Sequence, residues 1–326
     1  MVDKMGKEYH YVEKPFMEQL KKLGWNTIFF TEKELNDRIP TSIPSRTLRH
    51  TFDEVLLESK LREAIRELNK WLDKEQIEEA IQDIKRIGLR KGLIPANMDF
   101  LNMVLEPPAF KDKKRPQDKA KSIKIIDFDD PGNNDFLAIN QFRVNTPGTL
   151  RDYIIPDIVL FVNGLPMAVI ECKYPTPVDV EAMEEAITQL KRYSNMREDV
   201  IEREGNERLF WYNQMMIATT FDEARMGTIT SEYDHYLEWR DTYPIPLNEK
   251  LRSQERLILG SLVKENLIDL IRNFTLFVET EKGKIKIVGR YHQFRAVNKI
   301  KDRLLKEKKP EDRSGIVCKS IVILKS

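Results

Sequence analysis

Two apolar runs joined by a tight turn constrain this chain more than anything else in it. Residues 156–174 read PDIVLFVNGLPMAVIECKY. Asn-Gly inside NGLP is a strong turn signal, so DIVLFV and MAVIEC are expected to pair as an antiparallel hairpin. Side chains alternate along a strand. With Ile170 and Cys172 turned into the core, Glu171 and Lys173 share the opposite face, and the pairing brings Asp157 beside them. Two converging carboxylates are costly unless a cation neutralises them. Hard oxygen donors select Mg²⁺ or Mn²⁺, with Asp157, Glu171 and the backbone carbonyl of Cys172 as ligands. The chemistry that uses such a group is phosphodiester hydrolysis, in which Lys173 orients or activates the water and stabilises the developing charge. The bare spacing also fits an ordinary hairpin with a surface ion pair between Glu171 and Lys173, because Asp, Glu and Lys are all abundant here.

The surroundings supply a fold class. Between Ile123 and Ala218 the runs IKIIDF, DFLAINQFRV, DIVLFV, MAVIEC and QMMIATT read as strands. The helical stripe Met183, Ala186, Ile187, Leu190 interrupts them, which predicts an α/β fold with a mixed central sheet flanked by helices. EKPFMEQLKKLGW (13–25) reads as a short helix stopped by Gly24, and 59–87 as one or two amphipathic helices. Segment 106–121, with three prolines and a run of Lys and Arg, reads as an exposed loop. The periodicity returns to helix from about 247, through LNEKLRSQERLILGSLVKENLIDLIRNFTLFV. This predicts one unit over 1–246 and a second, mainly helical C-terminal extension over 247–326.

Length allows this division, since 326 residues exceed the common single-domain size. The net charge of +1 restricts any nucleic-acid surface to local patches, such as 111–121 and Lys191-Arg192. Cys172 and Cys318 have no metal-ligand or disulfide spacing, which points to a reducing cytoplasm. No apolar run approaches the roughly 18 residues of a membrane span. His10, His50, His235 and His292 are scattered with no nucleophile near them in sequence, and structural roles are expected for them.

RDYIIPDIVLFVNGLPMAVIECKYP resembles the PD-(D/E)XK nuclease core of the restriction (R) subunit of type I restriction-modification enzymes. NNDFLAINQFRV (133–144), RLFWYNQMMIATT (208–220), GTITSEYDHYLEWR (227–240), NLIDLIRNFTLFV and GRYHQFRAVNKI (289–300) resemble the same subunit in the same order. The resemblance implies a restriction-endonuclease-like core with Asp157, Glu171 and Lys173 as the catalytic triad. It implies double-stranded DNA as substrate, and methylation (M) and specificity (S) subunits as partners. Gln189 and Tyr193 in QLKRY match the family's Gln-x-x-x-Tyr element, associated with DNA, and one helical turn separates them. An N-terminal helical Glu completes the metal site in related nucleases. Glu18 is the candidate, with Glu13 competing. Gln293 matches an adenine-reading Gln that precedes the family's motor. A phosphate loop is then expected after Gly315-Ile316-Val317, yet the sequence runs CKSIVILKS with no G-x-x-x-x-G-K-[ST]. A complete ATP site and ATP-driven translocation are therefore expected of the full-length subunit and not of this chain. Two other readings stay open: a stand-alone RecB-like nuclease, and a catalytically silent module that docks DNA or subunits.

Overall fold

A computed structural model describes residues 6–175, 181–197, 202–281, 283–307 and 309. A π-helical turn, Tyr9–Glu13, leads into helix α1 (Lys14–Lys22) and strand β1 (Asn26–Ile28). After the short helical segments Glu32–Asn36 and Ile39–Ser42 come helices α2 (Glu58–Leu68), α3 (Lys74–Arg86) and α4 (Leu93–Leu105). Strands β2 (Phe136–Asn140), β3 (Ile158–Val162) and β4 (Leu165–Cys172) precede helix α5 (Ala182–Tyr193). Strands β5 (Met215–Thr219), β6 (Ala224–Gly227) and β7 (Leu237–Glu238) complete the sheet. Helices α6 (Ser253–Ser261) and α7 (Lys264–Asn273), the pair β8 (Thr275–Thr280) and β9 (Gly283–Val288), and helix α8 (Tyr291–Lys306) come last.

The seven strands β1 to β7 lie in the sheet in chain order. β1 is parallel to β2, and β4 to β5. The β2–β3, β3–β4, β5–β6 and β6–β7 pairs are antiparallel. This is the mixed α/β sheet expected from the strand and helix patterns. Every residue of β2, β3, β4 and β5 is buried, so apolar side chains fill both faces and the runs read as continuous rather than alternating. Glu171 therefore stands in a strand with no solvent face.

Three segments differ from the pattern their sequences suggest. IKIIDF (123–128) buries Ile123, Ile125 and Ile126 without joining a ladder. The side chain of Asn69 takes up both backbone polar groups of Lys124, accepting from its N–H at 2.7 Å and donating to its carbonyl at 2.8 Å. The strand in DFLAINQFRV stops at Asn140, because Gln141 adopts a left-handed conformation with φ of 52°. In NFTLFV the helix ends at Asn273, and the β-branched and aromatic residues that follow form β8.

The 59–87 segment resolves into two helices, α2 and α3, joined across their charged faces by Arg62–Glu78 and Lys85–Glu58 ion pairs. α1 buries Phe16, Met17 and Leu20, each contributing roughly 1.5–3 kcal/mol. α6 and α7 pack into the same hydrophobic cluster through Leu257, Ile258, Leu262, Leu267 and Leu270. Trp25 Nε1 donates to the Leu262 carbonyl at 3.0 Å, which ties the two ends of the chain together. Segment 106–121 is exposed over most of its length, and its Lys113 is engaged by Asp73 at 2.7 Å and Glu75 at 2.8 Å. Among the described residues no helix is long and apolar enough to cross a membrane. Cys172 is a buried free thiol; Cys318 and Gly315-Ile316-Val317 lie outside the described residues.

Candidate active site

The site is built by a slip in the hairpin. Asn163 and Gly164 both have positive φ, 52° and 79°, the backbone of a two-residue turn that matches strand twist. Beside the turn Val162 pairs with Leu165 and Phe161 with Pro166, a register that would set Asp157 opposite Ile170. A bulge at Met167 shifts the ladder by one residue, so Leu160 pairs with Ala168 and Ile158 with Ile170. Continued one step, the shifted register puts Asp157 opposite Glu171. A one-residue slip exchanges the faces of a strand, so the bulge selects a carboxylate over an isoleucine at this position.

Hydrogen bonds then hold the charged groups. Asp157 Oδ2 accepts from the Cys172 N–H at 2.7 Å. Lys173 Nζ donates to Glu171 Oε1 at 2.6 Å and to the Cys172 carbonyl at 3.1 Å. The Lys173 N–H donates to the Thr219 carbonyl at 2.9 Å, which extends the β4–β5 ladder past Cys172. Glu171 and Lys173 are buried, so the pair is not the surface ion pair that spacing alone allowed.

Two further carboxylates arrive from the N-terminal π-helical turn and its N-cap. Glu13 is buried, and its Oε1 and Oε2 accept from Asn140 Nδ2 at 2.6 Å and Gln141 Nε2 at 2.8 Å. Glu8 lies with Oε1 3.8 Å from Lys173 Nζ. The same Gln141 Nε2 reaches Asp157 Oδ1 at 3.2 Å. Glu18 does not take part. α1 turns Phe16, Met17 and Leu20 inward and leaves Glu18 exposed, 3.9 Å from Lys14, so Glu13 occupies the place expected of Glu18.

The electrostatics follow from burial and from like charge. Burial, then the neighbouring Asp157, pushes Glu13 up to about 8 and Glu8 up to about 7. Burial raises Asp157, and burial followed by the Asp157 charge raises Glu171 well above the carboxylate range. Burial opposes the Lys173 ammonium, but Glu171, Asp157 and Glu8 outweigh it and raise its pKa. One ammonium stands among four carboxyl groups, an excess of acidic groups that keeps protons unless a cation takes their place.

A divalent cation fits that excess. Among the described residues Glu171 Oε2 is buried without a hydrogen-bond donor, close to the Asp157 carboxyl group. Among the described residues no three Asp, Glu, His or Cys side chains stand together at metal-ligand spacing. The oxygens that could hold such an ion are those of Asp157 and Glu171 and the Cys172 carbonyl, which here accepts from Lys173, with water or substrate oxygens completing the set.

The other expected residues are placed as follows. Tyr193, on α5, is buried, and its hydroxyl donates to the Ile155 carbonyl at 3.0 Å while accepting from Gln189 Nε2 at 2.5 Å. It therefore braces the approach to Asp157 from inside, and Gln189 is the half-buried member of the pair. Lys191 is engaged by Glu232 at 2.5 Å. Gln293 sits in the first turn of α8, where its Oε1 accepts from the Arg290 N–H at 2.8 Å as a helix cap. Glu8 and Gln141 escaped the sequence reading. Gln141 sits inside a strand-like run, and no local pattern marks Glu8.

A family model described as the type I restriction enzyme R protein N terminus matches residues 6–235. The type I restriction enzyme HindI endonuclease subunit of Haemophilus influenzae is 26% identical over 318 residues, covering 94% of this chain and 28% of that protein. Two proteins of Methanocaldococcus jannaschii, provisionally named type I restriction enzyme MjaIXP and MjaVIIIP endonuclease subunits, are 26% and 28% identical over 97% and 90% of this chain. The chain spans 30% and 25% of their lengths. With more than half of its residues matched by the family model, the chain belongs to the family of type I restriction enzyme R protein N-terminal regions.

Proposed function

We propose that this chain is the nuclease module of a type I restriction enzyme R subunit, a PD-(D/E)XK fold that hydrolyses phosphodiester bonds of double-stranded DNA with Mg²⁺, or Mn²⁺ in its place. The observation that carries this reading is the buried Asp157–Glu171–Lys173 group at adjoining strand ends, where two carboxyl groups converge beside one ammonium. A bound Mg²⁺ supplies Lewis acidity toward a phosphate oxygen and a water of lowered pKa. The chain's own groups do the rest. Asp157, fixed by the Cys172 N–H, and Glu171, fixed by Lys173, present oxygens whose positions are set before substrate arrives. Lys173 keeps its proton in this setting, so it acts as a fixed positive charge that orients the attacking water and stabilises the charge developing on the phosphate oxygens. Gln189, held by Tyr193, is proposed to touch DNA near the cleaved strand. In the full-length subunit, M and S subunits supply sequence choice, and the ATP-driven motor supplies translocation, with Gln293 at its adenine site. Cytoplasmic DNA is the proposed setting.

Nicking of supercoiled plasmid by the purified chain in Mg²⁺ or Mn²⁺ without ATP tests the assignment. Asp157→Ala and Lys173→Ala are each expected to slow nicking by at least about 10²-fold, the typical cost of one electrostatic stabiliser. Nicking that survives both substitutions would place the chemistry elsewhere. A folded chain that binds DNA equally with and without Asp157 and never nicks would favour the silent docking module.

A further inference from the structure

Gln141 stands where three parts of the site meet. Its Nε2 donates to Glu13 Oε2 at 2.8 Å and to Asp157 Oδ1 at 3.2 Å, so one amide bridges two carboxylates that are far apart in sequence. Its backbone N–H donates to the Asp157 carbonyl at 2.7 Å. The preceding Asn140 donates to the other Glu13 oxygen and accepts from the Phe30 N–H at 2.7 Å. Asp157 receives its second donor from the Cys172 N–H. Gln141 thus supplies a donor to Glu13 and to Asp157 at once.

The backbone at Gln141 is left-handed, a conformation that costs a non-glycine residue on the order of 1–2 kcal/mol. Glycine would adopt it without strain and would still bond to the Asp157 carbonyl through its own N–H. The bridge between Glu13 and Asp157 is the one thing here that requires a side-chain amide. A carboxylate at this place would add repulsion to the pair, and a shorter amide would not span it.

We infer that Gln141 is a positioning residue, whose amide ties Asp157 to Glu13 and so presets where the Asp157 carboxylate stands to receive a divalent cation. This rests on the proposed cation-dependent nuclease reading. Binding energy that would otherwise hold like charges together is then available to the ion, as with outer-layer hydrogen bonds around metal ligands generally.

The test is direct Mn²⁺ binding to the 326-residue chain without DNA, followed by electron paramagnetic resonance of free Mn²⁺, for wild type, Gln141→Gly and Gln141→Met. Gln141→Gly keeps the backbone and its N–H bond, and Gln141→Met keeps side-chain length without donors. Both are expected to weaken Mn²⁺ by at least about 10-fold. The Mg²⁺ concentration for half-maximal nicking should rise with little loss of rate at saturation. Thermal unfolding without metal identifies a variant that fails to fold, and Gln141→Gly decides the matter if Gln141→Met does. Wild-type affinity in the folded variants would overturn the inference and leave the nuclease reading standing. A wild-type chain that binds no Mn²⁺ would overturn both the cation reading and this one.

Discussion

Glu8 and Glu13 are held near neutrality by burial and by Asp157, and this gives the site a measurable pH dependence. Between the ordinary value of 4.5 and the folded values of about 7 and 8, the folded chain keeps protons that the unfolded chain has released. Stability without a cation is therefore full below that window, falls as pH rises through it, and levels off above it. The slope is on the order of 1 kcal/mol per pH unit for each group. Saturating Mg²⁺ favours the ionised carboxylates and should flatten the fall. Urea unfolding from about pH 5 to 9, with EDTA or with Mg²⁺, measures the difference. Identical slopes would mean that no cation reaches these carboxylates. At this scale Asp157, Glu171 and Lys173 were legible, because a tight turn and strand alternation act over a few residues. Gln141 was not, and the choice of Glu13 over Glu18 was not, since the Glu13–Gln141 contact spans 128 positions of sequence and depends on how the N-terminal turn lies over the sheet.

The hairpin is the element on which the geometry depends. Asn163 is buried, accepting from the Asp135 N–H at 2.8 Å and donating to the Ile125 carbonyl at 2.9 Å, so the turn is clamped from inside. A Cβ on Gly164 would meet the Leu57 carbonyl oxygen at 2.5 Å and the Leu61 nitrogen at 2.8 Å, at a φ that side chains rarely adopt. Gly164→Ala is expected to cost on the order of 2–4 kcal/mol, from backbone strain and displacement of α2. Chemical denaturation of that variant reads the cost, and a change under about 0.5 kcal/mol would show that α2 yields freely. The turn was plain in the sequence. The bulge at Met167 was not, because nothing in MAVIEC announces which residue will leave the ladder, and that choice decides whether Glu171 or Ile170 faces Asp157. α4 also went unread: LIPANMDFLNMVL is apolar on most sides, and its Asn97 is buried by donating to the carbonyls of Phe210 and Asn213.

Across the whole molecule, the C-terminal elements are joined to the sheet by core contacts. Gln254 of α6 accepts from Thr219 Oγ1 at 2.8 Å and donates to the Val12 carbonyl at 3.3 Å, so it sits behind both β5 and the turn that carries Glu13. Lys286 of β9 is buried, and its Nζ donates to Asn97 Oδ1 and Gln214 Oε1, each at 2.7 Å. A chain ended at residue 246 would expose the apolar surfaces that meet Leu257, Ile258, Leu262 and Leu267. We expect such a chain to lose cooperative thermal unfolding and to be digested rapidly by protease, while the 326-residue chain resists. A stable 1–246 fragment would show instead that the two units predicted from sequence are separable. What the amino-acid order determined by itself was local: an α/β alternation, a two-residue turn, and three charged residues at the ends of two apolar runs, all consequences of steric and periodic rules that act within a few residues. Tertiary structure alone decided that both faces of the sheet are covered, that a bulge turns Glu171 toward Asp157, and that Glu13 rather than Glu18 joins them with Glu8 and Gln141. Those outcomes depend on packing and on the desolvation of like charges brought together from distant segments, and no short stretch of sequence encodes either.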